Sequence, residues 1–181
     1  MRNLKAPRRA RGKGFTLIEL LIVIAIIAIL AIIIIVAINP GAMLAKSRDS
    51  QRFSDVTSLA TAVNLYLADN REIKDIAGSY KSNVAMTEAD RKLNNGNGWI
   101  PIDFTVVTSG APIAALPVDP ENNATYHYVF GASASNTYEI MCKFENTANQ
   151  QKQISDGGNS TDDGGIYEVG TDLTILGDSD Y

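Results

Sequence analysis

From Leu20 to Ile38 the chain reads LLIVIAIIAILAIIIIVAI, nineteen consecutive apolar residues without a charge. At about 1.5 Å per residue this run crosses a hydrocarbon core of about 30 Å. Arg2, Lys5, Arg8, Arg9, Arg11 and Lys13 precede it with no acid among them. That asymmetry places the amino terminus on the cytoplasmic side and everything after Asn39 outside the membrane. A secretory signal has an apolar region of about 7–15 residues followed by a small-residue cleavage site. This run is longer and leads into Asn39-Pro40-Gly41, so cleavage behind it is not expected.

The apolar series begins at Phe15 and is interrupted by a single acid, Glu19. A carboxylate near the end of a membrane helix is costly unless it reaches the interface or meets a positive partner. Two readings follow. Glu19 snorkels to the headgroups, or it pairs with a cation. Cleavage between Gly14 and Phe15 would create an α-amino group one helical turn away. Opposite charges about 4 Å apart attract by roughly 4 kcal/mol at an effective dielectric near 20. The amine could belong to the same chain or to a neighbour.

The stretch Lys13-Gly14-Phe15-Thr16-Leu17-Ile18-Glu19-Leu20-Leu21, followed by an apolar helix, resembles the class III signal of type IV pilins and their relatives. The resemblance is closest over residues 8 to about 70. It implies that a prepilin peptidase cuts after Gly14 and methylates the new amine of Phe15. It also implies that Glu19 neutralises the amine of an adjacent subunit during assembly. Leu116-Pro117-Val118-Asp119-Pro120, Tyr126-His127-Tyr128 and Thr137-Tyr138-Glu139-Ile140 resemble the head of pilins and of the major pseudopilin of type II secretion systems. The single cysteine departs from the carboxyl-terminal disulfide loop of many pilins, so adhesive roles attached to that loop are not carried over.

Beyond the apolar run, Pro40 lacks an amide hydrogen and disfavours helix at Asn39, which predicts a kink. Phe53, Val56, Leu59, Ala60, Val63, Tyr66 and Leu67 then recur at helical spacing, with Lys46, Arg48, Asp49, Arg52 and Asp55 on the opposing faces. The expected fold is α+β: a long amino-terminal helix, Phe15 to about Asn70 and roughly 80 Å long, packed in its second half against a small antiparallel sheet. An exposed apolar half must lie in lipid or against copies of itself. Three segments result: a basic leader 1–14, a transmembrane or filament-core helix 15–39, and a head 40–181 that includes the second half of the stem.

Within the head, Thr87-Glu88-Ala89-Asp90 is expected to cap a short helix running to Asn94, which Asn95-Gly96-Asn97-Gly98 ends. Ile102, Phe104 and Val106 alternate as a strand. Tyr138, Ile140, Cys142 and Phe144 alternate with Glu139, Met141, Lys143 and Glu145, a strand buried on one face. Tyr126, Tyr128 and Phe130 form a similar series, with His127 and Val129 opposite. Glu168-Val169 and Leu173-Thr174-Ile175-Leu176 suggest one or two further strands around Gly170. Trp99 and Cys142 read as packing.

The chain has 181 residues and net charge −4, but residues 15–181, without the basic leader, are net −10, which argues against nucleic acid as a partner. One cysteine allows neither an intrachain disulfide nor a Cys-based metal site, and one histidine excludes two-histidine motifs. A catalytic triad needs only one histidine, yet His127 reads as a satisfied or exposed residue. Residues 156–165, DGGNSTDDGG, collect hard oxygen ligands, and major pseudopilins bind calcium near this position. Asp156, Asn159, Asp162 and Asp163 are therefore the candidate calcium ligands by resemblance, against the reading of a solvated Gly/Asp turn. Asn123-Ala124-Thr125 and Asn159-Ser160-Thr161 match the N-glycosylation acceptor pattern.

These readings converge on a non-enzymatic prepilin. It waits in the cytoplasmic membrane as a single-pass precursor in contact with lipid, with its amino terminus inside. After processing at Gly14–Phe15 it assembles as a homo-oligomer into an extracellular type IV pilus, with Glu19 setting register. The peptidase, an assembly platform and an ATPase are partners by resemblance. A type II secretion pseudopilin and an uncleaved single-span protein with an outer domain are the competing readings.

Overall fold

The computed structural model describes residues 14–149, 153, 156–158 and 165–181. The chain divides between Gly41 and Ala42 into two compact units.

In the first unit, helix α1 runs from Leu17 to Ile38 and buries none of its residues. Val23, the least exposed of its large apolar side chains, is still 43% exposed. Apolar groups cover every side of the helix, as in a segment made for an apolar surrounding rather than for one packed face. The helix ends at Asn39, which adopts the left-handed conformation at φ 46°, ψ 77°. Asparagine is among the few residues that tolerate this region. Helix α2, Pro40–Ala68, begins on the next residue, with proline at the first helical position, where its missing N–H costs nothing. The Asn-Pro pair thus produces a one-residue break.

In the second unit, α2 lies against a four-stranded antiparallel sheet of β1 (Gly78–Lys81), β2 (Val129–Ala132), β3 (Tyr138–Lys143) and β4 (Ile166–Gly170), ordered β1-β2-β3-β4. The fold is therefore α+β. Val56, Leu59, Ala60 and Val63 of α2 are buried with Tyr128, Phe130, Tyr138, Ile140 and Cys142 of the sheet. Two tyrosines fasten these layers: Tyr128 Oη donates to Asp55 Oδ2 at 2.9 Å, and Tyr138 Oη to the Ala60 carbonyl at 3.1 Å. Trp99, Ile100, Ile102, Phe104 and Leu116 close the core from the long connection, where Trp99 Nε1 donates to the Pro117 carbonyl at 2.9 Å.

Several sequence expectations are corrected here. Thr87 does cap a helix, but α3 (Glu88–Arg91) stops three residues before Asn94. Ile102, Phe104 and Val106 form no strand: Phe104–Val106 is a 3-10 turn capped by Asp103. The core takes Ile102 and Phe104 from a turn, and a turn can mimic alternation over so short a stretch. Strand β3 is buried on both faces rather than one, because residues 172–181 cover the second face. There Val129, Met141, Ile166 and Leu176 form a smaller cluster. Leu173–Leu176 is accordingly not a strand. Its Leu176 N–H is taken by the Glu139 side chain at 2.8 Å instead of a ladder carbonyl. Leu176 fills the place over Gly131, where a built Cβ would lie 2.6 Å from Leu176 Cγ. Phe53, assigned to the buried stripe, is 38% exposed.

Arg52 and Asp49, assigned to the solvated side of α2, are 0% and 1% exposed. Arg52 Nε and Nη2 donate to both oxygens of Asp119, at 2.6 and 3.0 Å. Its Nη1 donates to Asp49 at 3.0 Å and to Glu145 at 2.5 Å. The Tyr126 ring covers the guanidinium at 4.7 Å. Burial acts to lower the Arg52 pKa, but the hydrogen bonds and charge of Asp119 and Glu145 outweigh it and hold the group above its ordinary value. Asp49 accepts from the Glu145 and Asn146 N–H groups at 2.8 and 2.9 Å, so α2 is tied to the end of the β3 segment.

Candidate processing and assembly site

Gly14, Phe15 and Thr16 precede α1 in non-helical backbone, and Phe15 is 76% exposed. A Cβ built on Gly14 meets no atom within 4 Å. The described residues therefore give no steric reason for glycine at this position.

Thr16 is the N-cap of α1, with extended backbone at φ −81°, ψ 149°. Glu19 N–H donates to Thr16 Oγ1 at 3.2 Å. In return Thr16 N–H and Oγ1–H both donate to Glu19 Oε2, at 2.9 and 2.7 Å. This is the reciprocal capping box, in which a Thr and a Glu three residues on satisfy helix-terminal N–H groups that have no partner within the helix. It also sets the carboxylate at the positive end of the helix, where negative charge is favoured.

By sequence Glu19 has two outlets, the headgroups or an amine. In the uncleaved chain the carboxylate is held by Thr16. Thr16 is the residue that reasoning missed, although Thr-x-x-Glu before an apolar run is the signature of this cap. The structure thus brings Thr16 and Glu19 together and leaves Gly14 and Phe15 exposed just ahead of them.

The candidate calcium ligands fare differently. Asp156 accepts from Gly158 N–H at 3.1 Å and from Glu168 N–H at 2.9 Å, a turn-capping role. Asn159, Asp162 and Asp163 lie outside the described residues. Among the described residues no three His, Cys, Asp or Glu side chains group as a metal site. His127, expected to be satisfied or exposed, is 1% exposed with its ring stacked on Tyr181 at 4.4 Å between centroids. Burial, followed by the charge of Lys81, pushes its pKa down.

Compared as a whole, the chain matches no curated protein and no solved structure. Its residues 9–35 match the family model of the prokaryotic N-terminal methylation motif. The amino-terminal segment is therefore a class III signal of the type IV pilin or prepilin kind, leading into a helix of membrane-anchor composition.

Proposed function

We propose that the chain is a structural subunit of a type IV pilus, cleaved between Gly14 and Phe15 and drawn from the membrane into a helical filament. The observation that carries this reading is α1 itself. It exposes apolar side chains in all directions, buries none within its own chain, and opens on a capped acid directly behind the Gly14–Phe15 junction. Each large apolar side chain removed from water contributes about 1.5–3 kcal/mol. A helix of this kind is stable in lipid before assembly and among copies of itself afterwards.

Mass spectrometry of the amino terminus in the surface fraction sheared from cells tests the proposal. Methylated Phe15 as the first residue supports it. Processed protein confined to the membrane, with stability that falls on calcium chelation, replaces the pilus by a short periplasmic pseudopilus. An intact segment 1–14 in all fractions overturns both.

A further inference from the structure

The turn 121–126 leaves the described core on a fixed base. Asp119 Oδ1 accepts the N–H groups of Glu121 and Asn122 at 2.8 and 3.2 Å. Asn122 exchanges two bonds with Ser82: Ser82 Oγ–H donates to Asn122 Oδ1 at 2.7 Å, and Asn122 Nδ2–H to the Ser82 carbonyl at 3.1 Å. On this base Asn123, Ala124 and Thr125 are exposed. Asn123 Oδ1 accepts from the N–H groups of Thr125 and Tyr126, both at 2.8 Å. These bonds bend Asn123-Ala124-Thr125 into an Asx turn and keep Thr125 beside the carboxamide. Asn123 Nδ2 donates to Glu121 Oε2 at 3.0 Å, and Glu121 is itself steadied by Arg48 Nη2 at 3.4 Å. Of the two Asn-x-Ser/Thr sites in the chain, Asn123 alone has an acid two residues before it; Asn159 has Gly157 there.

We infer that Asn123 is an N-glycan acceptor, modified outside the cytoplasm by an oligosaccharyltransferase that uses a lipid-diphosphate-linked oligosaccharide. The Asn123 Nδ2–C1 bond forms and the bond from C1 to the diphosphate oxygen breaks, its electron pair leaving with the diphosphate. The displaced Nδ2 proton passes to a base of the transferase. One amide hydrogen is replaced and the other remains for Glu121, which acts as a positioning residue. The sugar displaces no packed group, and a bulky polar chain suits a surface turn. The inference rests on the proposed topology, which carries residues after Asn39 out of the cytoplasm.

The test is peptide mass spectrometry of the full chain purified from its native cells, reading the Asn123 peptide and the amino terminus in one sample, with N123Q and E121Q alongside. The expected result is an oligosaccharide mass on Asn123, lost in N123Q and reduced several-fold in occupancy in E121Q while the thermal midpoint of E121Q stays put. A bare Asn123 in chains that begin at methylated Phe15 overturns the inference and leaves the pilus reading intact. A glycan on Asn123 in chains that retain residues 1–14 does the reverse. Unchanged occupancy in E121Q removes Glu121 from the account.

Discussion

Thr16 and Glu19 close a hydrogen-bonded ring at the head of α1: two donors of Thr16 reach Glu19 Oε2 at 2.9 and 2.7 Å, and Glu19 N–H returns to Thr16 Oγ1 at 3.2 Å. The acid that assembly is proposed to use is therefore oriented before any neighbour arrives. Only Oε2 is engaged with Thr16, which leaves Oε1 for a second partner.

T16V keeps the backbone donor but removes the hydroxyl from both directions of the ring. Loss of an N-cap costs about 1 kcal/mol, too little to prevent insertion of a helix this apolar. The expected outcome is normal membrane insertion by cell fractionation with a lower filament yield in the sheared fraction, and near-normal yield for T16S. E19L is expected to insert normally and to give the larger loss. Wild-type yield from E19L would remove Glu19 from assembly.

A Cβ at Gly14 meets no atom of the described residues, so its replacement tests the proposed processing without disturbing packing there. G14V is expected to leave the thermal unfolding of the head unchanged and to retain residues 1–14, read as the intact mass of the membrane-bound protein. Normal cleavage of G14V would move the recognition element elsewhere.

The Arg52 network predicts a large effect far from the membrane segment. Removing one partner of a buried ion pair costs about 3–5 kcal/mol because the remaining charges are left without compensation. R52M strands Asp119 and Asp49, both almost wholly buried. The midpoint of head unfolding in detergent should fall on the order of 10 °C, since about 1 kcal/mol shifts a domain of this size by roughly 2–4 °C. R52K, which keeps the charge but loses the fork onto Asp119, should fall in between. A shift of R52M within about 2 °C would show that packing, not the ion network, holds α2 to the loops.

What could be read in the sequence was local. The apolar run, the α2 stripe at Val56, Leu59, Ala60 and Val63, and the Tyr138–Cys142 alternation each repeat a periodicity that one element needs by itself. Arg52 was misassigned because its partners Asp119 and Glu145 lie 67 and 93 residues away, so its charge had only neighbouring residues to explain it. The second face of β3 was misread for the same reason: Glu139 looks solvent-facing until the 172–181 segment is laid over it. Strand β1, Gly-Ser-Tyr-Lys, carries no pattern of its own and exists through pairing with β2. At the candidate site the cap is written in four residues, Thr16 to Glu19, whereas the partner of an unpaired acid is not.

The buried acids on the second face of the sheet make head stability depend on pH with a definite sign. Glu139 is fully buried, accepts from Leu176 N–H at 2.8 Å and feels the charge of Glu168, which is 1% exposed. Burial, partly offset by the Leu176 N–H and reinforced by Glu168, pushes the Glu139 carboxyl up to about 7. Burial and a neighbouring like charge both penalise the ionised carboxylate, so the arrangement favours the protonated state. A folded-state pKa above the unfolded value means stability that is present below the unfolded pKa of about 4.3 and is lost as pH rises through about 7. The difference is on the order of a few kcal/mol, at about 1.4 kcal/mol per unit. E139Q retains an acceptor for Leu176 N–H without a titrating proton. Melting temperatures from pH 5 to 8 should therefore fall less steeply with rising pH in E139Q than in the wild type. Parallel curves for the two proteins would mean that Glu139 does not set this pH dependence.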